Sequence, residues 1–421
     1  MEKNIFYSIL GNVVYPLCQW GIIIVLAKLG SAGDVGSFVF PLVVTSPLFM
    51  FSNLQLRNIQ ATDVKDNYKF CDYLGVRVIT SILAAFSCLI ISICLKDEHY
   101  LWIYIAIFAL AKLPESISDI IHGLFQRLER FDLMAKSFII KGLGSVLFVG
   151  IVFSVTNSVS CSILSLAIWW TTVLIFYDFR IASQFTVIRP NLETRVTRNI
   201  IQSSVPLGIV SGIISFNIYV PKYFIKYYMG IEPLGYFASI LYVLNGIGQL
   251  ANAVGMGTSP RLAMYYIENQ KRYWILLCGL LLVVLLIGAS ATLVSVLIGR
   301  NILEFVYGTA YGHYKEVFVW LMFSGIFMFM NSILYYGMIA SRKVKIQVPL
   351  VTFIGIVGCF LNYRLVPRYG LLGAAWAILL VRIIEFTLCV PIILKYPSQR
   401  EFFKFDRIFR ETMYKNGRNI E

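Results

Sequence analysis

Apolar residues run through this chain in long blocks. They do not follow the three-to-four spacing of a surface helix with one wet face. Tyr273 to Ile298 and Leu371 to Leu394 are clear cases, and each is long enough to cross a bilayer core. Twelve blocks are predicted as spans, near residues 5–27, 36–56, 73–95, 100–122, 137–156, 159–178, 201–221, 235–258, 273–298, 315–340, 347–366 and 371–394. The polar breaks between them are short. The longest internal one is 179–200, and a polar tail covers 395–421. The pattern predicts an all-α integral membrane protein of about 12 transmembrane helices, with no soluble domain on either side. The first block begins near Ile5, follows only Lys3 and ends at no small-residue cleavage site, so it reads as a retained span.

Composition agrees. Of the 421 residues, 58% are hydrophobic and 14% charged, and mean hydropathy is +0.75. A soluble domain carries about 25% charged residues. The charges that remain are sorted by side. With the N-terminus inside, the inside segments hold 24 Lys and Arg, seven of them in the tail. The outside turns hold six, namely Lys28, Lys96, Lys222, Lys226, Arg300 and Arg368. That bias predicts a multi-pass cell-membrane protein with both termini cytoplasmic. It also accounts for the net charge of +14 without nucleic acid. The tail mixes aromatics with charges and reads either as an amphipathic helix on the inner surface or as a frayed end.

Chemistry is sparse. The eight cysteines form no CxxC pair and the three histidines are scattered, so no metal or cofactor site is expected. No Walker A motif is present. The informative residues are charges inside spans, which cost at least about 2.5–3.5 kcal/mol each at a bilayer centre and usually face a bundle interior. Lys112, Glu115 and Asp119 stand at offsets of 0, 3 and 7 in LAKLPESISDIIHG, on one helix face. Pro114 removes a backbone donor beside them. This stripe is expected to face a water-filled interior, or else to tie helices together. Arg382 and Glu385, at i,i+3 in the last span, repeat the pattern. Arg77 and Lys141 lie about five residues from inside ends and either snorkel or join the interior. Asp178 ends the sixth span and is expected to be solvated. The excess of interior cation points to an anionic substrate.

The chain also resembles itself. GSAGDVGSF at 30–38 and GIEPLGYF at 230–237 each have a glycine, an acid, and a second glycine two residues before Phe. The offset is half the chain. The expected organisation is a six-helix bundle over 1–200, a second over 201–394 and a basic cytoplasmic tail over 395–421, with the two pseudo-symmetric bundles flanking a central cavity, as in transporters built from repeats.

Four stretches carry a family likeness: NLQLRNIQATD (53–63), KLPESISDIIHGLFQRLERFDLMAKSF (112–138), ILEFVYGTAYGHY (302–314) and VPRYGLLGAAWA (366–377). Together they resemble Wzx-type polysaccharide flippases of the multidrug/oligosaccharidyl-lipid/polysaccharide exporter superfamily. The resemblance implies two bundles in a V, working by alternating access on an ion gradient. It implies a polyprenyl-diphosphate-linked oligosaccharide as cargo, moved from inner to outer leaflet for capsule or O-antigen type polysaccharide, with membrane lipids and a polysaccharide polymerase as partners. Lys112, Arg77 and Lys141 would then bind the diphosphate or acidic sugars. Glu115 and Asp119 would tune Lys112 or carry a coupling proton. Arg57 and Asp63 would gate the inside mouth, and Arg382 and Glu385 would line or link the C-terminal half. Lipid II flippases of the superfamily usually have fourteen spans, so twelve argues against the peptidoglycan precursor. Two other readings remain. A drug/cation antiporter of the same plan would favour acids in its cavity. A membrane polymerase or ligase would need a larger outside loop. An enzyme is therefore not expected.

Overall fold

The computed structural model describes residues 2–63, 67–94, 100–341 and 344–394. The basic tail and its suggested surface helix lie outside the described residues. Among those described there are helices and no strands. In chain order they are α1 (Glu2–Leu29), α2 (Ala32–Ser52), the short α3 (Leu56–Thr62), α4 (Phe70–Cys94), α5 (Leu101–Arg127), α6 (Phe131–Thr156) and α7 (Val159–Val173). A π-turn (Leu174–Phe179) runs on into α8 (Arg180–Ala182). Then follow α9 (Thr194–Met229), α10 (Ile231–Glu268), α11 (Gln270–Tyr307), a 3-10 turn (Thr309–Tyr314), α12 (Lys315–Ala340) and α13 (Val344–Leu394).

Eleven helical stretches are long and apolar enough to cross a membrane. The last holds two crossings. A straight helix of 51 residues would run about 77 Å, far beyond a core of about 30 Å. Gly370 reverses the chain at φ 59° and ψ −134°. Gly358 and Val381, nearly equidistant from it, consequently lie side by side, with a Cβ at 358 falling 3.7 Å from the Val381 side chain. The described residues thus hold twelve stretches long and apolar enough to cross. Each C-terminal likeness segment supplies one glycine to a turn of this kind: Gly370 here, and Gly308, which ends α11 at φ 117°. Positive φ is the conformation that glycine adopts without a Cβ penalty.

The helices form two lobes. α1 packs along α6, and α5 along α7 and α4. In the other lobe α12 packs against α10, α11 and α13, and α13 against α9. One end of the molecule carries Arg57, Arg127, Arg130 and Arg180 and is called here the basic end. The far end carries the turns at 30 and 230. The two glycine-acid motifs meet there. Ser31 caps α2 in a box with Asp34, the Ser31 N–H donating to Asp34 Oδ2 at 2.8 Å and the Asp34 N–H to Ser31 Oγ at 3.2 Å. Gly36 then packs on the α10 backbone. A Cβ at Gly36 would overlap the Ile231 carbonyl, and a Cβ at Gly235 would overlap the Ala32 carbonyl. The contact is reciprocal, so the repeat in sequence is a pseudo-two-fold crossing of equivalent helices from the two lobes. Small residues permit that close approach.

α9 closes the same flank. Gly208 and Gly212 let it lie on Phe51 and Leu54 of the α2–α3 turn, and Tyr223 OH donates to the Val43 carbonyl at 2.7 Å. α9 is longer than its hydropathy block. Lys222 and Lys226, expected in an outside turn, stand inside the helix, and Lys222 is 4% exposed. A lysine placed over aromatic rings does not force the helix to stop where the apolar run stops.

The Gly36 crossing is testable. Gly36→Leu should force α2 off α10. In detergent-solubilised protein a cysteine replacing buried Ala238, one turn along the seam face of α10, should then react with a water-soluble thiol reagent about tenfold faster than in the Gly36 chain, since overpacking of about 1–3 kcal/mol shifts an equilibrium by that order.

Candidate functional site: a charged cavity between the lobes

The site is built on the turn after α2. Leu54 and Gln55 both adopt left-handed φ, 50° and 54°, a conformation of order 1–3 kcal/mol above the ordinary regions for such residues. The turn is held because the Gln55 amide donates to Ser211 Oγ of α9 at 2.7 Å. It aims Asn53 and Arg57 inward. α5 supplies the charged stripe as one unbroken helix through Pro114. That proline leaves the Leu110 carbonyl without its usual donor.

A cavity of about 410 Å³ lies between this face and α9. It is lined by Lys112, Glu115 and Asp119 with Tyr15, Asn53 and Ser116, and on the far wall by Ile214, Ser215, Ile218 and Tyr219. Lys112 Nζ lies 2.5 Å from Glu115 Oε2, the i,i+3 pair expected from spacing. Its ammonium also sits 5.8 Å from the Phe108 ring and 5.7 Å from Trp170. Tyr15 OH donates to Glu115 Oε1 at 3.2 Å. Asp119 is clasped twice, by Arg77 Nη2 at 3.0 Å on one oxygen and by Arg57 Nη1 at 3.3 Å on the other. Arg77 is fully buried and also donates to Asn53 Oδ1.

Two expectations change here. Asp178 is not solvated. It is fully buried and accepts from Ser118 at 2.6 Å, Ser137 at 2.7 Å and Lys141 Nζ at 2.8 Å. The helix does not end at Asp178. The π-turn containing it carries the chain on to Ala182, and such turns often re-aim a side chain at a functional position. Arg77 and Lys141 do not snorkel, because both are buried against these carboxylates. His122 joins the same cluster through Ser137 at 2.9 Å. In this lobe four cations, Arg57, Arg77, Lys112 and Lys141, face three carboxylates, Glu115, Asp119 and Asp178.

At the basic end a concavity of about 520 Å³ is lined from both lobes, by Asn12, Arg57, Gln126 and Met134 on one side and Gln249, Asn252 and Tyr336 on the other. Asp63 does not line it. Desolvation would raise its pKa, but hydrogen bonds from Asn67, Tyr73 and Tyr68 outweigh that and hold its carboxyl below the usual carboxylate range. It ends α3 and accepts from Asn67, Tyr68 and Tyr73. In the second lobe Arg382 Nη1 pairs with Glu385 Oε2 at 2.7 Å, and Glu385 also accepts from Asn331 and Tyr335. The pair ties α12 to α13, while Arg382 faces a concavity of about 370 Å³. Sequence reasoning missed Tyr15, Asn53, Ser116 and Ser137. No spacing marks them, because their roles depend on partners from other helices.

The two-lobed helical fold is one that solved structures of membrane transporters share. Residues 1–266 match the polysaccharide biosynthesis protein family, and the chain belongs to it. It is 26% identical over 381 residues to the capsular polysaccharide biosynthesis protein CapF of Staphylococcus aureus, covering 90% of this chain and 95% of that protein. Among solved structures it is similar to the lipid II flippase MurJ in an inward closed conformation, with TM-score 0.75, 13% identity, 94% of this chain and 88% of that one. It is also similar to a multidrug resistance MATE family transporter in an inward-facing conformation, with TM-score 0.71, 11% identity, 92% of this chain and 98% of that one.

The buried cluster yields a stability prediction. Asp178→Asn leaves Lys141 buried beside a neutral amide and should cost about 3 kcal/mol, measured as a lowered unfolding temperature in detergent. Adding Lys141→Met should restore much of the loss.

Proposed function

We propose that the protein moves a polyprenyl-diphosphate-linked oligosaccharide across the cell membrane for surface polysaccharide of the capsule or O-antigen type. The observation that carries this is Lys112, an interior ammonium at the wall of a cavity between two lobes. The basic end is then cytoplasmic, with both termini on that side, and the cargo enters there past Arg57. The lobes touch at the far end through Gly36 and Gly235, so the described state is shut towards the outside.

The geometry suits an anionic headgroup on a lipid tail. A diphosphate does not cross hydrocarbon, whereas a prenyl chain stays in it. Lys112 is 15% exposed on its side chain and its partner Glu115 is 29% exposed, so a phosphate oxygen can reach the ammonium and displace the carboxylate. A diphosphate bridging prenyl and sugar carries one negative charge on each phosphate, and its several acceptor oxygens let it compete with a single carboxylate for one ammonium. Protonation of Glu115 would favour the exchange, which gives an ion gradient a place to act. Arg77 and Lys141 then serve as positioning residues that hold Asp119 and Asp178, and Arg57 is the second cation reachable from the mouth. A cationic cargo fits less well, because Glu115, Asp119 and Asp178 are each already matched by a cation.

Leaflet location tests this reading. Deleting the gene in its host should trap lipid-linked oligosaccharide on the inner leaflet and abolish the surface polymer. The intact gene should relieve the block, and Lys112→Ala, present at normal abundance in the membrane, should lower export at least tenfold. Normal surface polysaccharide with no trapped precursor would overturn the proposal.

A further inference from the structure

Lys222 is an interior cation with no acid. Arg77, Lys112, Lys141 and Arg382 each hold a carboxylate at 3.0 Å or less. Lys222 is 4% exposed, and among the described residues it makes no ion pair and no hydrogen bond. Its ammonium instead sits over two rings, 4.9 Å from the Tyr219 centroid and 5.9 Å from that of Tyr242. Ring faces attract an ammonium, but they compensate burial in a membrane only in part. A cation kept there invites an anion.

Its position says when the anion would arrive. Ser215, Ile218 and Tyr219 line the cavity. Lys222 follows Ile218 and Tyr219 at helical spacings of four and three, so it continues the cavity face one turn towards the far end. Tyr219 stands between, lining the cavity on one side and carrying the Lys222 ammonium on the other. The same stretch of α9 is covered by α2, through Tyr223 on Val43 at 2.7 Å and Lys226 over Phe40 at 5.1 Å. Tyr242 lies seven residues, two helical turns, from Gly235 on the α10 face that meets α2.

We propose that Lys222 is a second phosphoryl-binding site, covered while the α2–α10 seam is closed and uncovered when it parts, so that an anionic headgroup passes from Lys112 to Lys222 on its way outward. This rests on the transport reading above. The phosphoryl group belongs either to the lipid cargo or to a free diphosphate.

The test uses the purified full chain carrying Gly36→Leu to part the seam, with Gly235→Ala as the milder wedge if the first variant does not accumulate. Binding of inorganic pyrophosphate and of farnesyl diphosphate is measured with Lys222 intact, with Lys222→Met and with Lys222→Arg. Lys222→Met should weaken both ligands about tenfold, the scale of one charge-assisted contact, and Lys222→Arg should restore them. Farnesyl diphosphate binding more tightly than pyrophosphate assigns the site to the lipid cargo, and equal binding assigns it to a free anion. In the chain with Gly36 intact, Lys222→Met should change little. Equal binding by the wedged chain with and without Lys222→Met would overturn the site. An equal loss in the unwedged chain would overturn its covering by the seam. Lys222-dependent binding in a protein whose deletion traps no precursor would retain the site and remove the transport reading.

Discussion

Within hydrocarbon an ionised side chain is costly unless an opposite charge matches it or water reaches it, and the rest of this structure depends on that constraint. Three interior ion pairs cross between helices, Arg77 and Arg57 on Asp119 and Lys141 on Asp178, and Glu385, paired with Arg382 on its own helix, accepts from Asn331 and Tyr335 of α12. These contacts join segments far apart in sequence. Arg57 and Arg77 bind α3 and α4 to α5, and Lys141 binds α6 to the π-turn that holds Asp178. The apolar surfaces of these helices are nearly interchangeable to one another and to lipid, so the polar contacts do much to select which faces meet.

Pairing also separates structural charges from exchangeable ones. Lys141 reaches the cavity wall but is buried and gives its ammonium to Asp178, so a change of partner there would loosen α6 from the π-turn. Lys112 differs in degree. Its pair with Glu115 is local to one helix and sits at the cavity wall, so breaking it does not pull two helices apart. A site that must bind and release needs a charge that can change partners without unfolding the lobe.

Closure uses a different principle. At the far end the lobes are held by backbone approaching backbone at Gly36 and Gly235. The reciprocal overlap at the two glycines places the pseudo-symmetry of the chain at the point where the lobes separate.

The sequence by itself determined the class of protein, the helices and their approximate spans, the charge bias of one end and the Lys112, Glu115 and Asp119 stripe. All of these are set by composition or by spacing within one helix, where a period of 3.6 residues is sufficient to place side chains. The partners were decided by tertiary structure. Asp178 looks like a solvated helix end until the π-turn carries it into the lobe. Lys222 looks like a loop residue until two tyrosines, one from its own helix and one from α10, cover it. Tyr15 has no signature, and Asn53, though it opens a likeness segment, has no spacing that marks its role. Local periodicity gives the direction of a side chain on its own helix, whereas its burial and its counter-charge come from helices whose approach is a property of the whole packed bundle.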